Sequence, residues 1–99
     1  MIARVLRVDL ARGQVDTVIA AYRQHVRPVH ARAQGLRHHF VLVNRESGRI
    51  EIVGVWDSLE SVQAIAETLE PARQRMWREF GQAPDVDLYE VADVLVLET

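Results

Sequence analysis

Between Arg49 and Ser61 an alternating run ends at Trp56 and passes without a loop into Asp57-Ser58-Leu59-Glu60-Ser61. Alternation over this length is the period of a strand. Asp57 or Ser58 can cap the helix that follows, with Glu60 or Ser61 near its third position. A strand that delivers a tryptophan beside the first turn of the next helix requires a sheet with a helix packed on it. The seam between them is a natural place for a pocket.

The remaining elements follow from periodicity. Ile2, Leu6, Val8 and Leu10 share one face of a first strand, with Ala3, Val5 and Arg7 on the other, and Ala11-Arg12-Gly13 breaks it. Val15, Val18, Ile19, Tyr22, Val26, Val29 and Ala33 recur at three- and four-residue steps. They form a stripe about 100° wide, as an amphipathic helix requires. Asp16 suits that helix's positive start, and Gly35-Leu36 suits a left-handed stop with a hydrophobic contact. Pro28 removes one backbone donor and predicts a bend.

Leu36 to Val43 reads as a second strand, with Leu36, His38, Phe40 and Leu42 on the face expected to lie under helices. The turn-rich Asn44 to Gly48 predicts a hairpin to the third strand, Arg49 to Trp56. A helix carrying Leu59, Val62, Ala66 and Leu69 follows, and Glu70-Pro71 predicts a restart on a new axis. Ala72, Met76, Trp77 and Phe80 are the apolar residues of that continuation, Gly81 ends it, and Leu88 to Leu97 reads as a long last strand. The order βαββααβ predicts an α+β, ferredoxin-like domain: a four-stranded antiparallel sheet with helices on one face. The other face would show Ala3, Val5, Val41, Val43, Val53, Val55, Val91 and Leu95. So much bare aliphatic surface calls for a partner sheet.

The 99 residues make one domain, residues 1–99. A chain of this size buries only about 60–68% of its unfolded surface, yet 48% of its residues are hydrophobic. The surplus predicts an oligomer, most simply a twofold homodimer through the open sheet face. There is no cysteine, which excludes disulfides and thiolate metal sites. There is no lysine, which excludes a Schiff base. Arg4 and Arg7 interrupt the first apolar run, and no run approaches a membrane span, so a soluble cytoplasmic protein is expected. Residues 1–49 hold nine Arg against Asp9, Asp16 and Glu46 (+6), and residues 50–99 hold three Arg against eleven carboxylates (−8), giving the net −2. The Arg are spread over strand, helix and turn, which argues against a nucleic-acid stripe.

The element order, the strand-Trp56-Asp-Ser-x-Glu junction and the Gly35-Leu36 helix exit resemble the antibiotic-biosynthesis-monooxygenase type of dimeric α+β barrel. The resemblance implies a homodimer whose two sheets close into a barrel, with a pocket between sheet and helices in each subunit. Some members oxygenate aromatic, polyketide-like substrates without cofactor or metal, and others degrade haem. Trp56 matches the family's Trp at the end of the third strand. Where the cofactor-free quinone-forming members carry Asn, Tyr and Arg, this chain has Ile52, Val62 and Met76, with Arg75 adjacent. Where haem-degrading members carry Trp and His, it has Ile65 and Arg75. The scaffold is present without either catalytic set.

Among the four histidines, His38 and His39 are strand neighbours and point to opposite faces. His25 and His30 lie about 140° apart around a helix, so no metal site is expected. His38, on the face expected to be covered, is either a hydrogen-bonded core histidine or a general base. Arg4 shares a face with Ile2 and Leu6, so it either pairs with Glu90 or anchors an anionic substrate, and Arg75 could do the latter from the helix. Tyr22, Phe40, Trp56 and Trp77 are core aromatics or the walls of a pocket for a small apolar or aromatic ligand. Two functions follow. One is a cofactor-independent monooxygenase-like enzyme for a small aromatic or polyketide-type molecule, with His38 as base and Arg4 or Arg75 stabilising the anion. The alternative is a non-catalytic small-molecule binder or accessory domain whose pocket has filled. The volume beside Trp56 separates them, because a collapsed, apolar site has no room for chemistry.

Overall fold

A computed structural model describes residues 1–98. Its elements are β1 (Ile2–Asp9), a 3₁₀ turn (Arg12–Gln14), α1 (Val15–Ala21), a π-helical segment (Tyr22–Val26), α2 (Arg27–His30), β2 (Leu36–Asn44), β3 (Arg49–Trp56), α3 (Leu59–Glu79) and β4 (Asp85–Glu90). The sheet order is β2-β3-β1-β4, every pairing antiparallel. This is the ferredoxin-like arrangement, with the helices on one face. Leu6, Val8 and Leu10 meet Val15, Val18 and Val26 from the first helical arm and Leu69, Met76 and Trp77 from α3 to form the core. Among the described residues no helix is long and apolar enough to cross a membrane.

The first helix bends as Pro28 demands, by a specific device. The Arg27 N–H reaches back five residues to the Tyr22 carbonyl, widening the turn before the proline. In the wider turn each residue rotates less about the axis. Tyr22, Val26 and His30, four apart, therefore all stay buried. In a regular helix they would drift off the face, and Val29 would be buried instead of half-buried as it is.

Three expectations are corrected. The second helix does not restart at Pro71: α3 is one helix of 21 residues with Pro71 inside it. Pro71 is exposed, on the solvent side where water can serve the carbonyl it leaves unpaired. The last strand is short, Asp85–Glu90, and residues 91–98 continue without ladder pairing beyond a bond from the Val91 N–H to the Met1 carbonyl. The faces of β2 are exchanged beyond its first residue. Leu36 pairs with Trp56, but His38 already pairs with Val55, so Arg37 is an inserted residue that reverses every following side chain. His39, Val41 and Val43 thus face the helices, and His38, Phe40 and Leu42 face the open side, where Phe40 and Leu42 are each 50% exposed. Val41 and Val43 accordingly leave the open-face set, while Ala3, Val5, Val53 and Val55 remain in it.

Ser58 caps α3, its Oγ accepting from the Ser61 N–H at 3.2 Å, as the junction predicts. Gly35 sits against the same turn with φ +82°, and its carbonyl accepts from the Asp57 N–H at 2.8 Å. A Cβ there would lie 2.8 Å from Ser61 Cβ and closer still to its Oγ. Gly35→Ala is therefore expected to cost about 1–3 kcal/mol through backbone strain and displacement of the cap, measurable as a lower urea midpoint at unchanged m-value. On the open face Arg7 bridges three strands, binding Glu51 at 3.0 Å and Asp87 at 2.9 Å. Arginine from the basic half thus meets carboxylates of the acidic half across the sheet.

Candidate functional site

The bulge at Arg37 and the π turn bring two histidines and a tyrosine together. His39 rises from β2 and Tyr22 descends from the helical arm, their rings stacked at 5.5 Å with the Tyr22 hydroxyl 2.6 Å from His39 Nδ1. The His30 ring lies 4.3 Å from that of His39 and 6.2 Å from that of Trp56. Gly54 on β3 makes the room, since a Cβ there would stand 2.8 Å from Trp56 Nε1 and 3.4 Å from His39 Cδ2.

From α3, Arg73 closes the group. It is 5% exposed, and its Nη2 donates to His30 Nε2 at 3.0 Å. Guanidinium can only donate, so His30 is neutral with its proton on Nδ1, and that N–H has no acceptor. Burial, then the charges of His39, Arg73 and Arg4, pushes His30 down to about 3. Burial, then Arg73 and Arg4, takes His39 to about 4. Burial also lowers both arginines, Arg73 to about 10, so each stays cationic at neutral pH. Burial raises Tyr22, keeping it a phenol, against the pull of Arg27 and Arg73. Both imidazoles are thus neutral at neutral pH, in a cationic surrounding.

Two kinds of space adjoin this cluster. Outside, between the helical arm and β2, an open groove of about 670 Å³ has Tyr22 and His39 in its wall, Arg23 and Arg27 from the arm, and Ile19, Val41 and Val43 as apolar lining. Inside, between sheet and α3, lie two small cavities of about 20 and 10 Å³, both lined by Arg4, His30, Ile52 and Arg73.

The sequence-derived candidates divide accordingly. Arg4 points under the helices as expected, and the carboxylate that acts on it is Glu70 of α3 instead of Glu90. Tyr22, Trp56 and Trp77 are buried there too, at 6%, 1% and 4% exposure. His38 and Phe40 are on the opposite sheet face, stacked on one another at 6.1 Å, because Arg37 shifted the register. Arg75 is exposed on α3, and Arg73, two residues earlier, holds the inward position instead. Three residues of the site were missed. Arg73 falls in the series Leu69, Arg73, Met76, and His30 in the series Tyr22, Val26, His30, so helical spacing carried a signal for both. For His39 the sequence offered none, since the bulge leaves no compositional mark. The space beside Trp56 is collapsed, as a filled pocket would be, and its lining mixes Arg4, Arg73 and two neutral imidazoles with Ile52, Gly54 and Trp56.

Comparison with known proteins agrees with this architecture. The family model described as antibiotic biosynthesis monooxygenase matches residues 1–74. Two uncharacterised proteins of Mycobacterium tuberculosis (strain H37Rv) are 35% and 30% identical over 90 residues, 91% of this chain. The chain spans only 40% and 38% of their lengths. Among solved structures, a dimeric ferredoxin-like protein from an uncultured marine organism superposes with a TM-score of 0.81 at 16% identity, covering 98% of this chain and 92% of that one. A mutant form of SnoaB, a cofactor-independent oxygenase from Streptomyces nogalater, superposes at 0.72 with 18% identity, covering 95% of each. With its sheet order, its helix-covered face and three quarters of its length under one family model, the chain belongs to the antibiotic biosynthesis monooxygenase family.

Proposed function

We propose that this protein is a cofactor-independent monooxygenase-like enzyme that works on small, acidic aromatic or polyketide-type molecules bound in the groove between the helical arm and β2. The observation that carries the reading is the Tyr22–His39 pair, hydrogen-bonded at 2.6 Å in the wall of an open groove beside two arginines. Arg23 and Arg27 can hold the substrate as its anion, and the proton it gives up can pass through the Tyr22 hydroxyl to His39, whose basicity rises as negative charge forms beside it. The electron-rich anion itself reduces dioxygen. Overall, a CH₂ group and O₂ become a C=O group and water, with one oxygen atom going to each product. Family membership and the likeness to a cofactor-independent oxygenase support this class of chemistry.

A homodimer is part of the proposal. Phe40, Leu42 and Tyr89 leave the open sheet face half bare, and Val94 to Leu97 are 48–81% exposed. A second copy is the simplest cover for both. Light scattering at micromolar concentration should return twice the chain mass, and a monomer would overturn this part.

Oxygen-electrode assays over hydroxylated aromatic and polyketide-like compounds test the chemistry. His39→Gln is expected to lower kcat/KM about a hundredfold or more, with Tyr22→Phe less severe. Turnover unaffected by His39→Gln would remove the proposed base. The second reading, a non-catalytic binder or accessory domain, is favoured by the closed space beside Trp56, where the cavity measures about 10 Å³. It predicts binding in the groove without oxygen uptake.

A further inference from the structure

We propose that the narrow space between the sheet and α3, walled by Arg4, His30, Trp56 and Arg73, is a binding site for a small monoanion of the size of chloride or formate. The site lies behind the groove, with Tyr22 and His39 as the shared wall, and it is tested by binding without turnover.

The argument starts from unpaired groups. Four buried side-chain nitrogens have no hydrogen-bond partner among the described residues: His30 Nδ1, Trp56 Nε1, Arg73 Nη1 and Trp77 Nε1. All four are donors, His30 Nδ1 because Nε2 already accepts from Arg73. Native interiors pair the large majority of such donors, and one left without an acceptor is destabilising. Three of the four, His30 Nδ1, Trp56 Nε1 and Arg73 Nη1, belong to residues that line the same small cavity.

Charge gives the same answer. Arg4 and Arg73 both line the two small cavities. The groups facing them are neutral His30, neutral His39 and the Tyr22 phenol, and among the described residues the carboxylate within reach is Glu70, 3.7 Å from Arg73 Nη1 and itself 46% exposed. The buried Arg73 and the half-buried Arg4 against one partly solvated anion leave a net positive space, and a buried charge needs a counter-charge. Water is a poorer occupant, since it brings two hydrogens into a place already crowded with donors, whereas a monoanion only accepts. The two lobes, about 20 and 10 Å³, are each about the size of one water. They suit a monatomic ion or the two oxygens of formate and exclude a larger dianion such as sulfate.

The two tryptophan indole N–H groups report directly, as the chain has only two. Their proton–nitrogen NMR signals should be followed while sodium formate, and separately sodium chloride, replaces sodium sulfate at constant ionic strength. A saturable shift of the Trp56 indole signal is expected. Arg73→Met should weaken the apparent affinity about tenfold or more, the equivalent of one charge-assisted hydrogen bond. That variant removes a buried cation and should still fold, and Arg4→Met provides a second test if it does not. Arg75→Met, on the exposed side of the same helix, should leave affinity unchanged. No saturable shift, or a shift that survives both Arg73→Met and Arg4→Met at full strength, would overturn the proposal.

Discussion

Trp56→Ala is expected to lower the free energy of unfolding by about 3–5 kcal/mol, the usual cost of truncating a large buried aromatic. The indole is 1% exposed and sits where three strands converge on the helix layer, Ile2 and Leu36 being its cross-strand partners. Its removal would open a cavity between β3 and the start of α3, at a seam already without slack. Gly54 is packed against the same ring, and the Ser58 cap begins two residues later. A domain of this length has only about 5–15 kcal/mol in total, so the variant should unfold at a much lower urea midpoint. Trp56→Phe retains most of the ring area and loses an N–H that has no protein partner, so it should cost far less. A loss below about 1 kcal/mol for Trp56→Ala would mean that the seam is not tightly packed.

Acidification is expected to destabilise the fold well above the pH at which carboxylates titrate. His30 and His39 are lowered from 6.5 to about 3 and about 4 by burial and by the nearby arginines. Between those values and 6.5 the unfolded chain binds protons that the folded chain refuses, so stability falls as pH falls. Their contribution is complete above pH 6.5, erodes below it, and is exhausted once pH has passed the folded-state values. For His30, which is 5% exposed, linkage makes this a few kcal/mol, on the order of 1.4 kcal/mol per pKa unit. His39 borders the open groove and contributes less after solvent screening. Asp9 and Asp16, held low by Arg49 and Arg45, act only further into acid. Urea midpoints should therefore hold nearly level from pH 7.5 to about 6.5 and decline from there to 4.5, and His30→Phe should flatten the decline. A flat profile over that range would mean that the imidazoles are not buried as described.

Much of the fold was legible before any coordinates. Strict alternation marked β1 and β3, the three- and four-residue steps marked the helices, and Ser58 and Gly35 marked the joints between them. These are local signals, because a strand's period and a cap's hydrogen bond depend on residues a few positions apart. The element order then left the ferredoxin-like arrangement as the simple way to bury those faces together.

What the sequence alone determined about this protein is therefore its element order, its fold class and the aromatic seam at Trp56. The tertiary structure alone decided which polar groups share the interior. One inserted residue, Arg37, replaced His38 by His39 beneath the helices, and no alternation pattern records on which side of a bulge a register resumes. One wide turn before Pro28 carried His30 inward. Arg73 is buried because His30, 43 positions away in the chain, accepts its hydrogen bond. Whether a charged side chain enters a core depends on a partner supplied by another element, and that pairing exists only once the elements are packed.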